Sequence, residues 1–225
     1  MRMWIIFNLL LSFLMISCKS KHAPQTNTKM ETQPDSLGVL FALDTSSSIL
    51  YWKGSSLLSV HNGLIKFKDG EFFLHENKIT KGKFIIDMSS LSNLDLDNVE
   101  EKKELEQHLK NPDFFSVDSF PYIEFSLQET GFSSDSIHKS LVRGDLKIKD
   151  KTQPIELVCS IIPSQQSVMI SVPGLVLDRT KWGLIYSSKS WFSNLGDHVI
   201  DDEIGISMKI IAKRQAIEKL PRLIP

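Results

Sequence analysis

The sequence predicts an all-β domain that carries one helix. Apolar and polar side chains alternate with a period of two along many segments after Phe41, as in strands with one buried and one wet face. Polar turns separate these segments about every ten residues, a spacing that favours a β-sandwich or a β-barrel. Residues 98–111 are instead rich in helix-forming residues. We find no internal repeat, so residues 38–213 are predicted to form one domain.

The alternation identifies the inward face of each predicted strand. In residues 142–148 every second residue is Val, Gly, Leu or Ile, and the residues between are mostly charged. The same pattern recurs in residues 155–161 and 204–210. The side chains predicted to point inward include Ile65, Phe67, Phe84, Ile86, Met88, Ile123, Phe125, Leu127, Val142, Leu146, Ile148, Ile155, Leu157, Cys159, Ile161, Ile204, Ile206, Met208 and Ile210.

Turn chemistry marks the predicted connections between strands. Residues 68–70 contain an Asp-Gly pair, which is typical of a tight hairpin. Residues 75–78, 149–151 and 165–166 are polar and are predicted to be further turns.

The helical stretch has recognisable ends and one apolar face. Asn98 is a suitable N-cap, and Pro112 would stop the helix. Leu105, His108 and Leu109 fall on one side, so we expect this helix to pack over the β-structure.

The first eighteen residues have the pattern of an export signal. Residues 4–16 are apolar apart from Asn8 and Ser12, and this run is shorter than the roughly 20 residues that span a bilayer. The Ser17-Cys18 pair that follows resembles a bacterial lipoprotein cleavage site. We therefore predict that residues 1–17 are a lipoprotein signal peptide and that Cys18 carries acyl chains such as palmitate. The alternative is an ordinary signal peptide with a chance cysteine.

This interpretation predicts an exported lipoprotein that is held at a membrane, facing the periplasm. Residues 18–37 are polar and are predicted to form a flexible tether. Residues 214–225 are predicted to be a loosely held tail.

Charge and cysteine content exclude several classes of protein. The net charge is -1, and removal of residues 1–17 takes away Arg2 alone among the charged residues, which leaves 25 basic against 27 acidic groups. That balance gives no electrostatic footprint for nucleic acid and no polybasic attraction to anionic lipid.

Cys159 lies in an apolar run, so we expect a buried thiol that packs as a small hydrophobe.

Seven strings along the chain carry a family resemblance. They are SILYWKG (48–54), HNGLIKF (61–67), GKFIIDM (82–88), HLKNPDFF (108–115), FPYIEF (120–125), VRGDLKIK (142–149) and LDRTKWG (177–183). In this order and spacing they resemble the YceI family of lipocalin-like, polyisoprenoid-binding proteins over roughly residues 44–213. The resemblance implies an eight-stranded antiparallel barrel with the helix packed over it and an elongated apolar cavity.

The same resemblance implies that a long isoprenoid or quinone-like lipid occupies the cavity. The side chains predicted to contact it are His61, Ile65, Phe67, Phe84, Ile86, His108, Phe114, Phe115, Phe125, Arg179 and Trp182. The alternatives are polar contacts with neighbouring backbone for the two histidines, a structural role for Arg179, and ordinary core packing for the phenylalanines.

One further class of function remains open at this level. A filled barrel could serve as a protein-interaction module at the membrane, with the aromatic stretch at residues 191–197 as a docking loop, mouth or lid. A homodimer is also left open. The sequence contains no nucleophile elbow, no phosphate loop and no metal-ligand spacing, so we predict that the protein is neither an enzyme nor a metal-binding protein.

Overall fold

The computed structural model describes residues 38–132 and 139–216. The predicted signal peptide, the lipid-anchor residue Cys18 and the tether lie outside the described residues, as do residues 217–225 of the predicted tail. The last strand reaches Arg214, one residue beyond the predicted end of the domain. No helix in the described parts of the chain is long and apolar enough to cross a membrane.

The described residues form one antiparallel sheet that closes on itself. Its strands are β1 (Val39–Leu43), β2 (Ile49–Ser55), β3 (Val60–His75), β4 (Lys78–Asn93), β5 (Tyr122–Phe132), β6 (Ser140–Ile148), β7 (Lys151–Pro163), β8 (Ser167–Asp178) and β9 (Glu203–Arg214). From β2 to β9 each strand pairs with the next, and β2 also pairs with β9. This closure makes a barrel.

The strands β1 and β2 occupy one position in the barrel. Both lie between β3 and β9: Phe41 of β1 is opposite Phe72, and Ile49 of β2 is opposite Lys66. Between them, the buried Ser48 hydroxyl accepts a hydrogen bond from the Ile211 amide at 2.9 Å. The predicted eight-stranded barrel is therefore confirmed, with one of its strands interrupted.

One predicted turn is wrong. The strand β3 runs through Asp69 and Gly70, which lie opposite Ile85 and Phe84 next to a β-bulge. Gly70 lies in a tight place within the strand, because a Cβ atom there would lie 3.0 Å from the Phe84 ring. The actual β3–β4 turn is in the predicted 75–78 segment.

The other turn predictions are confirmed. Glu76 and Asn77 have φ of 48° and 63°, the two positive values that a type I′ hairpin turn requires. Turns also occur at residues 149–150 and 164–166, between β6 and β7 and between β7 and β8.

The predicted helix is confirmed as α1 (Val99–Lys110). The Asn98 side chain accepts hydrogen bonds from the Glu100 and Glu101 amides, as expected of an N-cap. Glu106 ties the helix to the barrel, because its carboxylate accepts a 2.8 Å hydrogen bond from the amide of buried Asn93.

The two ends of the barrel differ. We call one the closed end, at the 76–77 and 164–166 turns and β1, where Phe41, Phe72, Val168 and Ala212 are buried in a packed core. We call the other the open end, which carries the β2–β3 hairpin, α1 and the long connection from β8 to β9. Stacked phenylalanines lead inward from the closed end: Phe41, Phe72, Phe84 and Phe125, with successive ring centroids 5.7, 6.0 and 6.4 Å apart.

Close packing predicts a strong effect of Gly63→Ala. A Cβ atom at Gly63 would lie 1.9 Å from the Ser92 carbonyl oxygen and 2.6 Å from the Trp52 ring, so backbone must move. We expect the free energy of unfolding, measured by urea denaturation, to fall by about 2 kcal/mol or more. Gly174→Ala is the control, because nothing lies within 4 Å of a Cβ there. Equal stability of the two variants would contradict this packing.

Candidate functional site

The barrel encloses a cavity of about 520 Å³ that runs toward the open end. Its deep wall is apolar and is contributed by every strand position. The wall includes Leu50, Ile65, Phe67, Ile79, Phe84, Ile86, Leu91, Ile123, Phe125, Leu127, Val142, Leu146, Ile148, Ile155, Leu157, Cys159, Ile170, Val172, Leu175, Leu177, Ile204, Ile206, Met208 and Ile210. Many of these residues alternate in sequence with outward-facing ones, which is why one strand face supplies a continuous apolar surface.

Two described side chains that border the cavity, within its deep wall or between that wall and the mouth, carry a polar hydrogen: Trp52, whose indole Nε1 is buried without a hydrogen-bond partner, and Cys159. Cys159 is 1 % exposed, and burial raises the pKa of its thiol to about 11. A thiol in such surroundings stays protonated at neutral pH and behaves as part of the apolar wall. The predicted burial of Cys159 is confirmed.

Polar side chains around the cavity gather at the open end. They come from the β2–β3 hairpin, from α1 and from the β8–β9 connection: Lys53, Ser55, Ser56, Ser59, His61, His108, Arg179, Tyr186, Ser187, Asp197, His198 and Asp201. The cavity therefore has an apolar interior and a polar mouth. This division suits an elongated amphiphile whose polar group stays at the mouth.

His61 is held at the mouth by a carboxylate. Its Nδ1 lies 2.8 Å from Asp95 Oδ2, so Nδ1 donates to the carboxylate and Nε2 remains for another partner. Burial acts to raise the pKa of Asp95, but hydrogen bonds from the Asn62 amide, His61 and Asn93 outweigh it and lower the pKa below its ordinary value. Asp95 is thus a stable anion that fixes the ring orientation.

An aromatic cluster joins α1 to the β8–β9 connection. The His108 ring lies edge-on to Phe114, with centroids 5.1 Å apart, and to Tyr186 at 4.9 Å. Phe114 and Tyr186 are 5.3 Å apart. Because all three side chains border the cavity, this cluster forms part of its cover.

Arg179 borders the cavity, but its guanidinium is committed to the protein. It donates to the backbone carbonyls of Leu184, Ile200 and Asp201, and it lies 3.5 Å from the Asp202 carboxylate. These contacts fix both ends of the β8–β9 connection against the end of β8. The structure thus gives Arg179 the structural role that was the alternative to ligand contact.

Trp182 does not line the cavity, which corrects its prediction as a ligand contact. It is 2 % exposed, and its indole Nε1 donates to the Leu146 carbonyl at 2.9 Å. The turn at Arg179–Trp182 carries the ring outside the cavity, where it packs into the core. A sequence string cannot show whether such a ring borders the cavity.

The other ten residues predicted to contact a ligand all border the cavity: His61, Ile65, Phe67, Phe84, Ile86, His108, Phe114, Phe115, Phe125 and Arg179. Whether they bind a ligand stays a prediction. Several other wall residues, such as Ile206, were predicted to point inward but not to contact a ligand, and Val172 belongs to β8, a strand that the predicted alternation does not include. Tyr186, Asp197 and His198 carry no such signal, because they lie in an irregular connection. In the described residues no cluster of His, Cys, Asp or Glu could hold a metal ion.

Solved structures share this fold. BcnA of Burkholderia cenocepacia aligns with a TM-score of 0.60 and 16 % identity, over 75 % of this chain and 98 % of BcnA. A polyisoprenoid-binding domain from Saccharophagus degradans, implicated in plant cell wall breakdown, aligns with a TM-score of 0.56 and 12 % identity, over 80 % of this chain and all of that domain. No curated protein is significantly similar to the chain.

The family comparison covers the barrel described above. The family model of the YceI-like domain matches residues 41–212, which begin within β1 and end within β9. The match includes all seven strings that carry the resemblance in the sequence. The cavity-bearing barrel and this match together show that the chain belongs to the YceI-like family.

Proposed function

We propose that the protein binds a long apolar lipid of the isoprenoid class, such as a polyprenyl or quinone-like compound, in its barrel cavity. The observation that carries this proposal is the cavity of about 520 Å³ with an apolar deep wall and a polar mouth. Its volume lies in the range of about 300–1,000 Å³ that ligand pockets occupy. The similar Saccharophagus degradans domain, described as polyisoprenoid-binding, supports the same class of ligand.

The chemistry of the wall matches a prenyl chain. Such a chain is thin and has no hydrogen-bonding groups, so an apolar tube satisfies it along its length. Burial of its surface contributes about 25 cal/mol per Å², which offsets the cost of ordering a flexible chain. An eight-stranded barrel is wide enough to hold one such narrow ligand.

The polar mouth orients the ligand. We place the prenyl tail toward Ile79 and Ile170 near the closed end, with the polar head group beside His61. In this arrangement the Asp95 carboxylate holds the His61 ring, and Nε2 accepts from a hydroxyl or, when protonated, donates to a carbonyl or phosphate oxygen. We propose a binding role and no catalysis.

We also propose that the protein works outside the cytoplasm, anchored through acylated Cys18 and facing the periplasm. The apolar run at residues 4–16 and the Ser17-Cys18 pair support this location. A homodimer stays a prediction. The alternative of a filled-barrel interaction module required a packed interior, and the barrel instead holds a cavity.

Filling the cavity should abolish binding. Val172 is 2 % exposed and borders the cavity, so the larger ring in Val172→Trp would occupy space meant for the prenyl chain. We expect at least about a tenfold loss in affinity for geranylgeraniol, measured by native mass spectrometry or fluorescence titration.

Val176→Trp provides the matched control on the same strand, because Val176 is 63 % exposed. It should bind as the wild type does. A folded Val172→Trp protein with unchanged affinity would refute the location of the ligand.

Ligand should protect the Cys159 thiol. In the Cys18→Ser variant Cys159 is the remaining cysteine, and its pKa of about 11 keeps the reactive thiolate scarce at pH 8. We expect the alkylation rate to rise about tenfold per pH unit from pH 7 to 10, where an exposed cysteine of pKa about 8.5 would level off.

Added geranylgeraniol should slow this alkylation further, as measured by mass spectrometry of the modified chain. Glycerol, which has no apolar tail, is the control. A rate that does not change with saturating prenol would argue against occupancy beside Cys159.

A further inference from the structure

Two uncharged segments lie at the open end. Residues 55–60 form the tip of the β2–β3 hairpin and read Ser-Ser-Leu-Leu-Ser-Val, and residues 190–196 read Ser-Trp-Phe-Ser-Asn-Leu-Gly. Neither contains a charged side chain, although 24 % of the chain is charged. By contrast, the turns at the closed end that the structure describes expose polar side chains and no large apolar ones: Glu76, Asn77, Gln165 and Gln166.

These segments display large apolar side chains to solvent. Leu57, Leu58 and Val60 are 64 %, 77 % and 51 % exposed, and Trp191 and Phe192 are 59 % and 46 % exposed. We call these five residues the rim. Eight of the twelve exposed large apolar side chains in the described residues lie at the open end, so their placement is one-sided. A concentrated apolar surface of this kind marks an interaction site.

Backbone contacts anchor each part of the rim to the β8–β9 connection. The Leu57 amide donates to the Val199 carbonyl at 3.1 Å, and Ser56 pairs with Ile200 as an isolated β-bridge. The amides of Trp191 and Phe192 donate to the carbonyl of Ser188, whose side chain is fully buried. The aromatic rings therefore project from an anchored turn, and folding does not hide them.

The rim is continuous with the cavity. Leu58 borders the cavity and is also the most exposed large apolar side chain of the described chain. An apolar path thus leads from the interior past the hairpin to the outer surface. A cargo with negligible solubility in water could follow that path only if the mouth faced another apolar medium.

We infer that the rim docks the mouth of the barrel on the surface of a lipid bilayer, so that cargo passes between membrane and cavity without crossing water. The inference deepens the proposed function and rests on it for the nature of the cargo. Trp191 is of the residue type that is enriched at bilayer interfaces, where its apolar ring and its polar N–H are both satisfied, and Leu57, Leu58 and Phe192 add apolar surface beside it. Because the rim is uncharged, docking should not require anionic lipid and should persist in high salt.

A label on the rim tests docking directly. In the full chain carrying Cys18→Ser, Leu58→Cys is labelled with an environment-sensitive fluorophore, while buried Cys159 reacts slowly. Ile162→Cys is the control, since Ile162 is 52 % exposed near the closed end. Both labelled proteins contain residues 1–17, so any attachment to the vesicles through that segment is the same in both. With phosphatidylcholine vesicles, the label at residue 58 should shift to the blue and be quenched by spin-labelled lipid, and the label at residue 162 should not.

Cargo transfer gives a second, independent readout. The Leu57→Ser/Trp191→Ser/Phe192→Ser protein should take up fluorescent geranylgeraniol from vesicles about tenfold more slowly or worse, because these substitutions, none of which borders the cavity, remove apolar surface that the bilayer would bury. The amount bound at equilibrium should remain close to that of the wild type, since the deep wall is unchanged.

The outcomes separate this inference from the proposed function. Equal responses at residues 58 and 162, or an unchanged transfer rate, would overturn membrane docking. A response at residue 58 that needs membrane proteins in the vesicles would also overturn it, in favour of a protein partner. If the prenol never binds but the label at residue 58 alone reports the bilayer, the docking surface stands and the proposed cargo fails.

Discussion

The structure depends on closure of the sheet through the pairing of β2 with β9. Closure turns the inward face of every strand toward one axis. The side chains of every second residue therefore share the limited volume inside the barrel. At the closed end Phe41 and Phe72 stack on each other and the interior is packed. Toward the open end Phe67, Phe84 and Phe125 share the wall with Val, Leu and Ile from all eight strand positions, and about 520 Å³ stays unfilled. The same inward face is therefore core at one end of the barrel and cavity wall at the other.

Two buried polar residues shape the mouth of that cavity. Asn93 is fully buried: its amide binds Glu106 of α1, and its side chain binds the Asn62 carbonyl and Asp95. Arg179 holds the β8–β9 connection in a similar way, because its guanidinium donates hydrogen bonds to three backbone carbonyls of that connection. Buried polar groups are stable only when they are hydrogen-bonded. The hydrogen bonds that satisfy Asn93 and Arg179 also hold the irregular segments next to them in place. The cover of the cavity is thereby held in position without filling the space beneath it.

The distribution of polarity then connects cavity, mouth and surface. The deep wall offers an apolar ligand nothing to hydrogen-bond, while His61 with Asp95 offers a polar head group a partner at the mouth. Beyond the mouth, Leu58 and Trp191 are exposed at the end of the barrel toward which the cavity runs. The apolar wall, the polar mouth and the exposed apolar side chains follow one another along the barrel axis, so the two ends of the barrel differ in polarity.

The sequence by itself determined the strands, the helix with its Asn98 cap, the eight-stranded barrel through the family strings, and the inward face on which most cavity residues lie. These features are local, because a period of two and a capping side chain depend on neighbours along the chain. Only the tertiary structure decided that Asp69-Gly70 continues a strand, that Trp182 lies outside the cavity, and that the barrel is not filled. Each of these depends on which side chains meet across the barrel from distant strands. Side-chain volumes that seal one barrel leave space in another whose strands pair in a different register, so no single stretch of residues contains the answer.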